Sequence, residues 1–111
     1  MSVNRNTLIV CRKKITIGEG TSIGPNVLIY DHDHLIDETG FYKDKFICDE
    51  IKIGKNVWIA GNCCILRGTS IGDNCVIGAG TVVKENVCSD TIIMNTCEYR
   101  CINIKERYKN A

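Results

Sequence analysis

The stretch TSIGDNCVIGAGTVV (residues 69–83) decides the fold. Its aliphatic residues Ile71, Ile77 and Val83 stand six apart, and a glycine directly follows each of the first two. The stretch KIGKNVWI (residues 52–59) has the same form. An α-helical face requires apolar residues three and four apart, so a period of six excludes a helix. The period fits a short extended strand followed by a tight turn.

This spacing runs through most of the chain. The aliphatic anchors are Ile17, Ile23, Ile29, Ile53, Ile59, Ile65, Ile71, Ile77 and Val83. Ile29 and Ile53 are 24 residues apart, which is four periods, so even the interruption preserves the count. A short fixed period determines the architecture, so it takes precedence over other sequence patterns.

The residues between the anchors predict how the repeats stack. Residues two before the anchors are mostly small or β-branched, which favours strands, and pairs such as Asp73-Asn74 favour tight turns. Stacked turns with inward anchors give an all-β solenoid with a continuous aliphatic core. The alternative is an ordinary antiparallel sheet of short strands, but nine anchors in register favour the solenoid.

Length and composition limit the remaining possibilities. The 111 residues predict one domain, residues 1–111; the net charge is +1, and no basic stripe indicates nucleic-acid binding. The sequence has no run of 18 apolar residues, so no membrane span is expected, and its first residues lack the apolar stretch typical of a signal peptide. Eight cysteines are present, but Cys63 and Cys75 occupy repeat positions that elsewhere hold Val or Thr. We therefore expect reduced thiols, hence a cytoplasmic protein, and no metal site.

The interruption at residues 33–50 is where we expect the chemistry. A solenoid does not need this loop to fold, and loops on rigid scaffolds often carry function. Both histidines of the chain, His32 and His34, stand at its mouth and point to the same side of an extended segment. They can be interpreted as a catalytic base, as part of a metal site, or as ordinary solvated loop residues.

The six-residue repeats at residues 52–59 and 69–83 resemble those of the hexapeptide-repeat acyltransferases, most of all the maltose, galactoside and capsular-sugar O-acetyltransferases. The resemblance covers residues 4–90. It implies a left-handed parallel β-helix of three to four coils, with coils at 15–32, 51–68 and 69–86 and a C-terminal strand or tail at 91–111. It also implies a homotrimer with sites between subunits and acetyl-CoA as the acetyl donor.

The resemblance further implies a general base in the loop. In those enzymes the base falls five residues after the last anchor of its coil, which is His34 here, with His32 as runner-up. It removes a proton from an acceptor hydroxyl, which attacks the thioester directly. Asp31 and Asp33 are candidates for orienting the imidazole and for the acceptor side of the site.

Further site residues follow from matching motifs. On the acceptor side these are Asn4, Arg12 and Trp58. Arg12 stands where galactoside acetyltransferases carry an aspartate, so a negatively charged sugar is conceivable. Trp58 could instead be an outward residue covered by the loop. On the coenzyme side the matched residues are Ala60, Gly61, Ala79, Gly80, Lys84 and Arg100.

The ends depart from the resembling family. Residues 94–100 lack its closing Gly-Asn-Pro-Ala-Lys segment, and residues 101–104 alternate like a last short strand. Three functions are therefore weighed: acetyl transfer to a saccharide hydroxyl (or an amino-sugar nitrogen), a non-catalytic trimeric structural or regulatory protein, and a zinc enzyme like the γ-type carbonic anhydrases. The last needs three histidine ligands, and this chain has two.

Overall fold

The computed structural model describes residues 1–96 and 101–105, and short strands form most of its regular structure. The strands are β1 (Ser2–Val3), β2 (Leu8–Val10), β3 (Ile15–Ile17), β4 (Ser22–Ile23), β5 (Leu28–Tyr30), β6 (His32–Asp37), β7 (Gly40–Cys48), β8 (Ile51–Ile53), β9 (Trp58–Ile59), β10 (Cys64–Ile65), β11 (Ser70–Ile71), β12 (Val76–Ile77), β13 (Val82–Val83) and β14 (Ile92–Ile93).

Apart from β6 and β7, the strands form three parallel sheets that wrap around one core. Face A is the sheet β1-β4-β9-β12-β14, face B is β2-β5-β10-β13, and face C is β3-β8-β11. All pairings within these sheets are parallel, and anchors pair with anchors, as Ile23 does with Ile59 and Ile59 with Ile77. Successive strands visit faces C, A and B in turn. The predicted β-helix is thus confirmed. Its coils differ in length: paired residues are 20 apart from Val3 to Ile23, 18 apart from Ile53 to Ile71, and 16 apart from Ile71 to Val87.

The core consists of the anchors and the residues two positions before them. Ile17 is half-buried, and the other eight anchors are buried at between 0% and 4% exposure. The residues two before the anchors turn inward at the corners, where Thr and Cys bond to carbonyls: Thr21 Oγ1 donates to the Gly54 carbonyl at 2.8 Å, and Cys63 Sγ to that of Gly78 at 3.2 Å. The cysteines of the described residues are free thiols.

Three edges connect the faces, and we name each by the faces it joins. The chain turns from face A to face B at edge AB, from B to C at edge BC, and from C to A at edge CA. Edges AB and CA each stack residues in the left-handed backbone conformation, one per coil: Asn6, Asn26, Asn62 and Gly80 at edge AB, and Gly20, Asn56, Asn74 and Asp90 at edge CA. Asn and Gly tolerate this conformation, which explains their period in the sequence.

Edge BC carries the interruption. Residues 33–50, expected as a loop, belong largely to an antiparallel hairpin of β6 and β7 that leaves the coil after face B and returns to it before face C. The last strand lies at Ile92–Ile93, and residues 101–105 form no strand, so the strand expected at 101–104 is wrong. Within the described residues, no helix has the length and apolar character needed to cross a bilayer.

Candidate active site

A tight turn shapes the hairpin that carries both histidines. Asp37 Oδ1 accepts hydrogen bonds from the N–H of Thr39 at 2.8 Å and from its hydroxyl at 2.6 Å. Gly40 follows at φ +115°, a backbone conformation that L side chains rarely adopt. These bonds lower the pKa of Asp37, with that from the Thr39 hydroxyl as the largest cause. The turn therefore fixes the register in which β6 faces β7.

His34 is held by a backbone carbonyl of the opposite strand. Its Nδ1 lies 2.8 Å from the carbonyl oxygen of Tyr42. A carbonyl can only accept, so Nδ1 must carry the hydrogen and a neutral imidazole has its lone pair on Nε2. The ring is exposed and lies beside Phe46, with 4.8 Å between ring centroids, and edge-on to Phe41 at 5.4 Å. His34 is thus oriented and accessible, as a general base requires.

His32 is held differently and is more enclosed. Its Nδ1 lies 3.1 Å from Asp31 Oδ1, and its side chain is only 16% exposed. Its ring packs edge-on to Tyr30 at 6.2 Å and to Phe46 at 5.6 Å. This enclosure suits a supporting residue of the hairpin base better than a group that meets an acceptor.

Asp31 connects the start of the hairpin to residues 12–14 of the preceding coil. Its carboxylate is fully buried and accepts the backbone N–H groups of Arg12, Lys13 and Lys14 at 2.8–2.9 Å, in addition to its contact with His32. Burial alone would raise the pKa of Asp31, but these hydrogen bonds together lower it well below its ordinary value. The structure therefore gives Asp31 a positioning role, because a buried carboxylate with these partners cannot also meet an acceptor.

A second anchor holds the hairpin to the coil above it. Arg67 Nε lies 2.7 Å from Asp33 Oδ2 on β6, and its Nη1 lies 2.5 Å from Asp49 Oδ2 just after β7. One guanidinium thus joins both ends of the hairpin to residues 51–68. Sequence analysis did not select Arg67. The residue could have been noticed because a positive charge stands there at a corner of the repeat, where small and aliphatic residues prevail. Asp33, expected near the acceptor, is engaged by this cation.

Arg12 also reaches the hairpin. Its guanidinium carbon lies 3.6 Å from the ring centroid of Phe46, the residue paired across the hairpin with His34. Arg12 is at edge BC, one coil before the hairpin. The structure thus brings Arg12, both histidines and both aspartates together, and adds Phe46, which sequence analysis did not select.

The remaining predicted residues lie elsewhere on the chain. Ala60, Gly61, Ala79 and Gly80 line edge AB, where Gly80 N donates to the Gly61 carbonyl at 3.0 Å and a Cβ at Gly80 would meet nothing within 4 Å. Such a surface lets a ligand approach the backbone closely. Asn4 lies on the same edge, in the partial first coil, with its N–H bonded to the Ile23 carbonyl. Face B separates this edge from His34.

Trp58 and Lys84 occupy two further places. Trp58 points outward on face A between Ser22 and Val76 and is 55% exposed. The alternative in which the loop covers Trp58 is wrong, because the hairpin leaves from a different edge. Lys84 lies on edge BC near the C-terminal end of the stack and lines a concavity that also includes Val87 and Ile93. Arg100 lies outside the described residues.

The described residues contain no group of three or more His, Cys, Asp or Glu side chains arranged to hold a metal ion. The two histidines bond instead to a carboxylate and a carbonyl. The arrangement can therefore orient an imidazole and expose its basic nitrogen.

Comparison with known proteins adds to this geometry. Residues 50–85 match the family model of the bacterial transferase hexapeptide (six repeats). No curated protein sequence matches the chain significantly. Among solved structures, a hexapeptide-repeat-containing acetyltransferase of Vibrio cholerae O1 biovar eltor, complexed with acetyl coenzyme A, is 38% identical, with a TM-score of 0.66; the match covers 70% of this chain and 43% of that one.

Two further structures are similar over more of the chain. A maltose O-acetyltransferase from Clostridium difficile 630 is 30% identical, with a TM-score of 0.59, over 82% of this chain and 59% of that one. A galactoside acetyltransferase in complex with coenzyme A is 25% identical, with a TM-score of 0.55, over 82% and 58%. The chain thus spans between 43% and 59% of the length of these three proteins. Its six-residue repeats match that family model, and its fold is the left-handed parallel β-helix of the hexapeptide-repeat acetyltransferases.

Proposed function

We propose that the protein is an acetyl-CoA-dependent O-acetyltransferase that acts on a saccharide hydroxyl and uses His34 as the general base. The observation that carries this proposal is the bond from His34 Nδ1 to the Tyr42 carbonyl at 2.8 Å on an exposed hairpin. It leaves Nε2 as a fixed, accessible acceptor for a hydroxyl proton. His32 is the alternative base.

The proposed reaction is a direct transfer. Nε2 of His34 accepts the proton of the acceptor hydroxyl while the hydroxyl oxygen attacks the thioester carbonyl. The new C–O bond forms, the C–S bond breaks, and the departing thiolate takes the proton from the imidazolium. The products are a sugar acetate and the free thiol of coenzyme A. An amino-sugar nitrogen would react in the same way, so N-acetylation is a second possibility.

The separation of the site residues supports an active site formed between subunits. His34 is at edge BC, whereas the residues proposed to contact the coenzyme, such as Gly61 and Gly80, are at edge AB. One chain cannot present both edges to one small substrate, but neighbouring copies in a homotrimer can. Face B offers an apolar surface for that contact, with outward residues in register: Leu8 (59% exposed), Leu28 (41%), Cys64 and Val82 (56%).

The compared structures support the choice of substrates. The Vibrio cholerae protein was solved with acetyl coenzyme A, the galactoside acetyltransferase with coenzyme A, and the third is a maltose O-acetyltransferase. We therefore propose acetyl-CoA as donor, in the cytoplasm, and a small sugar or a precursor of a cell-surface polysaccharide as acceptor. The free thiols of the described cysteines are compatible with that compartment.

The experiment that tests the proposal separates binding from chemistry. Acetyl-CoA binding is measured by calorimetry, transfer by the release of free thiol, and assembly by light scattering, for the wild type, His34→Ala and His32→Ala. We expect His34→Ala to bind acetyl-CoA and to assemble normally, but to lose roughly 10²–10⁴-fold in kcat. His32→Ala should retain more activity.

Each other result has a definite meaning. A His34→Ala variant with wild-type turnover would refute His34 as the base. A wild type that assembles but binds no acetyl-CoA would favour the non-catalytic structural or regulatory protein. Stoichiometric bound zinc in the purified protein would instead favour a zinc enzyme of the γ-type carbonic anhydrase kind.

A further inference from the structure

Phe46 links a cation to the proposed base. The guanidinium carbon of Arg12 lies 3.6 Å from the centroid of its ring, and the His34 ring is tilted against it at 4.8 Å between centroids. A guanidinium over an aromatic face is attracted by the ring quadrupole, which restrains the side chain without using its N–H donors. Arg12 is therefore held one ring away from His34 with its donors available.

The backbone that carries Arg12 is fixed as well. The N–H groups of Arg12, Lys13 and Lys14 all donate to the buried carboxylate of Asp31, which also contacts His32. The basic turn at residues 12–14 and the start of the hairpin are thus tied to one group. A ligand that meets Arg12 is met by a preorganised cation, which reduces the entropy lost on binding.

The charge of Arg12 is not compensated by the carboxylates around it. In the part of the chain that the structure describes, none of the ion pairs involves Arg12. Four carboxylates in or beside the hairpin have other partners: Asp31 binds backbone N–H groups, Asp33 and Asp49 bind Arg67, and Asp37 binds Thr39 and Tyr42. Lys13 and Lys14 are exposed beside it and add to the positive potential.

We infer that the acceptor is an anionic saccharide whose carboxylate or phosphate is bound by the Arg12 guanidinium while one of its hydroxyls meets His34. The inference rests on the proposed acetyltransferase function and narrows its substrate class. The planar guanidinium presents paired N–H donors that match the oxygens of a carboxylate or phosphate. Arg12 and His34 both contact the Phe46 ring, so one saccharide can reach the guanidinium and the imidazole together.

The test compares matched sugars. Galactose, galacturonic acid and galactose 6-phosphate share ring stereochemistry and differ in the group at C6, so they separate neutral, carboxylate and phosphate acceptors. kcat/KM for acetyl transfer is measured for each with the wild type, Arg12→Ala and Arg12→Lys. Lys55→Ala serves as control, because it removes one exposed positive charge at edge CA, away from the hairpin.

The expected result is a preference for an anionic sugar that depends on Arg12. The wild type should favour galacturonic acid or galactose 6-phosphate over galactose by roughly 10- to 100-fold, the range of a charge-assisted hydrogen-bonded pair. Arg12→Ala should remove this preference, so that the ratio of kcat/KM for the anionic sugar to that for galactose falls towards one, while Arg12→Lys should keep part of it. Lys55→Ala should behave like the wild type.

Direct binding of the same sugars is measured by NMR titration. It distinguishes failure of the proposed acetyltransferase function from failure of the inferred anionic acceptor. Acetyl transfer without any preference for the anionic sugars would overturn the inference and leave the proposed function intact. Binding of an anionic sugar that depends on Arg12, without transfer, would support the anion site and overturn the acetyltransferase. If the anionic sugars are neither bound nor acetylated, the inference is overturned.

Discussion

Replacement of Asp31 by alanine should be among the most destabilising single changes at the base of the hairpin. The substitution removes the acceptor of three backbone N–H groups, those of Arg12, Lys13 and Lys14, at 2.8–2.9 Å. A hydrogen bond to a charged group contributes about 1.5–3 kcal/mol. Residues 12–14 are exposed, so water can reach their N–H groups in the variant, and the lower end of this range applies. The expected loss is therefore about 3–5 kcal/mol, a large part of the 5–15 kcal/mol typical of a domain.

The dependence on pH gives this prediction a second test. The hydrogen bonds lower the pKa of Asp31 in the folded protein, so the ionised carboxylate stabilises the fold fully above the unfolded pKa of about 3.9. This contribution is lost as the pH falls through the folded pKa. The difference in stability between the wild type and the isosteric Asp31→Asn should thus be constant from about pH 5 to 8 and should shrink in more acidic solution.

The measurement is chemical unfolding monitored by circular dichroism, at one protein concentration because assembly would otherwise change the apparent stability. Asp44→Ala is the matched control: it removes an exposed carboxylate of the same hairpin and should alter the unfolding free energy by no more than about 0.5 kcal/mol. An Asp31→Ala variant within 1 kcal/mol of wild type, or a difference from Asp31→Asn that widens towards acid, would refute the role assigned to Asp31.

Three further changes probe the scaffold. Arg67→Ala frees both ends of the hairpin from the coil above, and it should lower kcat by about tenfold or more through misplacement of His34, while stability falls by only about 1 kcal/mol because the pairs are partly exposed. Ile71→Asp buries an unpaired carboxylate and should prevent folding, whereas the outward neighbour Ser70→Asp should stay folded by circular dichroism. Gly18→Ala places a Cβ 2.6 Å from the backbone of the next coil and should cost about 1–3 kcal/mol in thermal unfolding; Gly61→Ala, whose nearest contact is 3.3 Å, should cost less.

The fold was predictable because one rule governs most of its residues. A period of six places one anchor on each of three faces, and anchors that follow one another on a face pair in register, as Ile53 does with Ile71. The same count could have located Trp58. Its strand belongs to face A, while the hairpin leaves after face B, so the hairpin cannot cover it. The hairpin itself also left a signal, the turn residues from Asp37 to Gly40.

The supports of the site were not predictable in the same way. Asp31 bonds to backbone N–H groups 17 to 19 residues earlier, and every residue except proline carries such a group, so no side-chain pattern marks the partners. The Tyr42 carbonyl that orients His34 is also a backbone group, so no sequence pattern predicts its role. The contact of Arg12 with Phe46 depends on how the hairpin folds back over edge BC, which the repeat does not specify.

Stacking of the coils also sets the order in which the protein can come apart. A coil pairs only with the coils directly before and after it, as β9 does with β4 and β12. In such a one-dimensional array, unzipping starts at the ends, where a unit has a single neighbour, and reaches the middle last. The hairpin emerges between two inner coils, at residues 15–32 and 51–68, whereas Asn4 and Lys84 belong to outer ones. Amide hydrogen exchange should therefore be slowest around β5, β8 and β9, and the two histidines should keep their surroundings through opening events that expose either end.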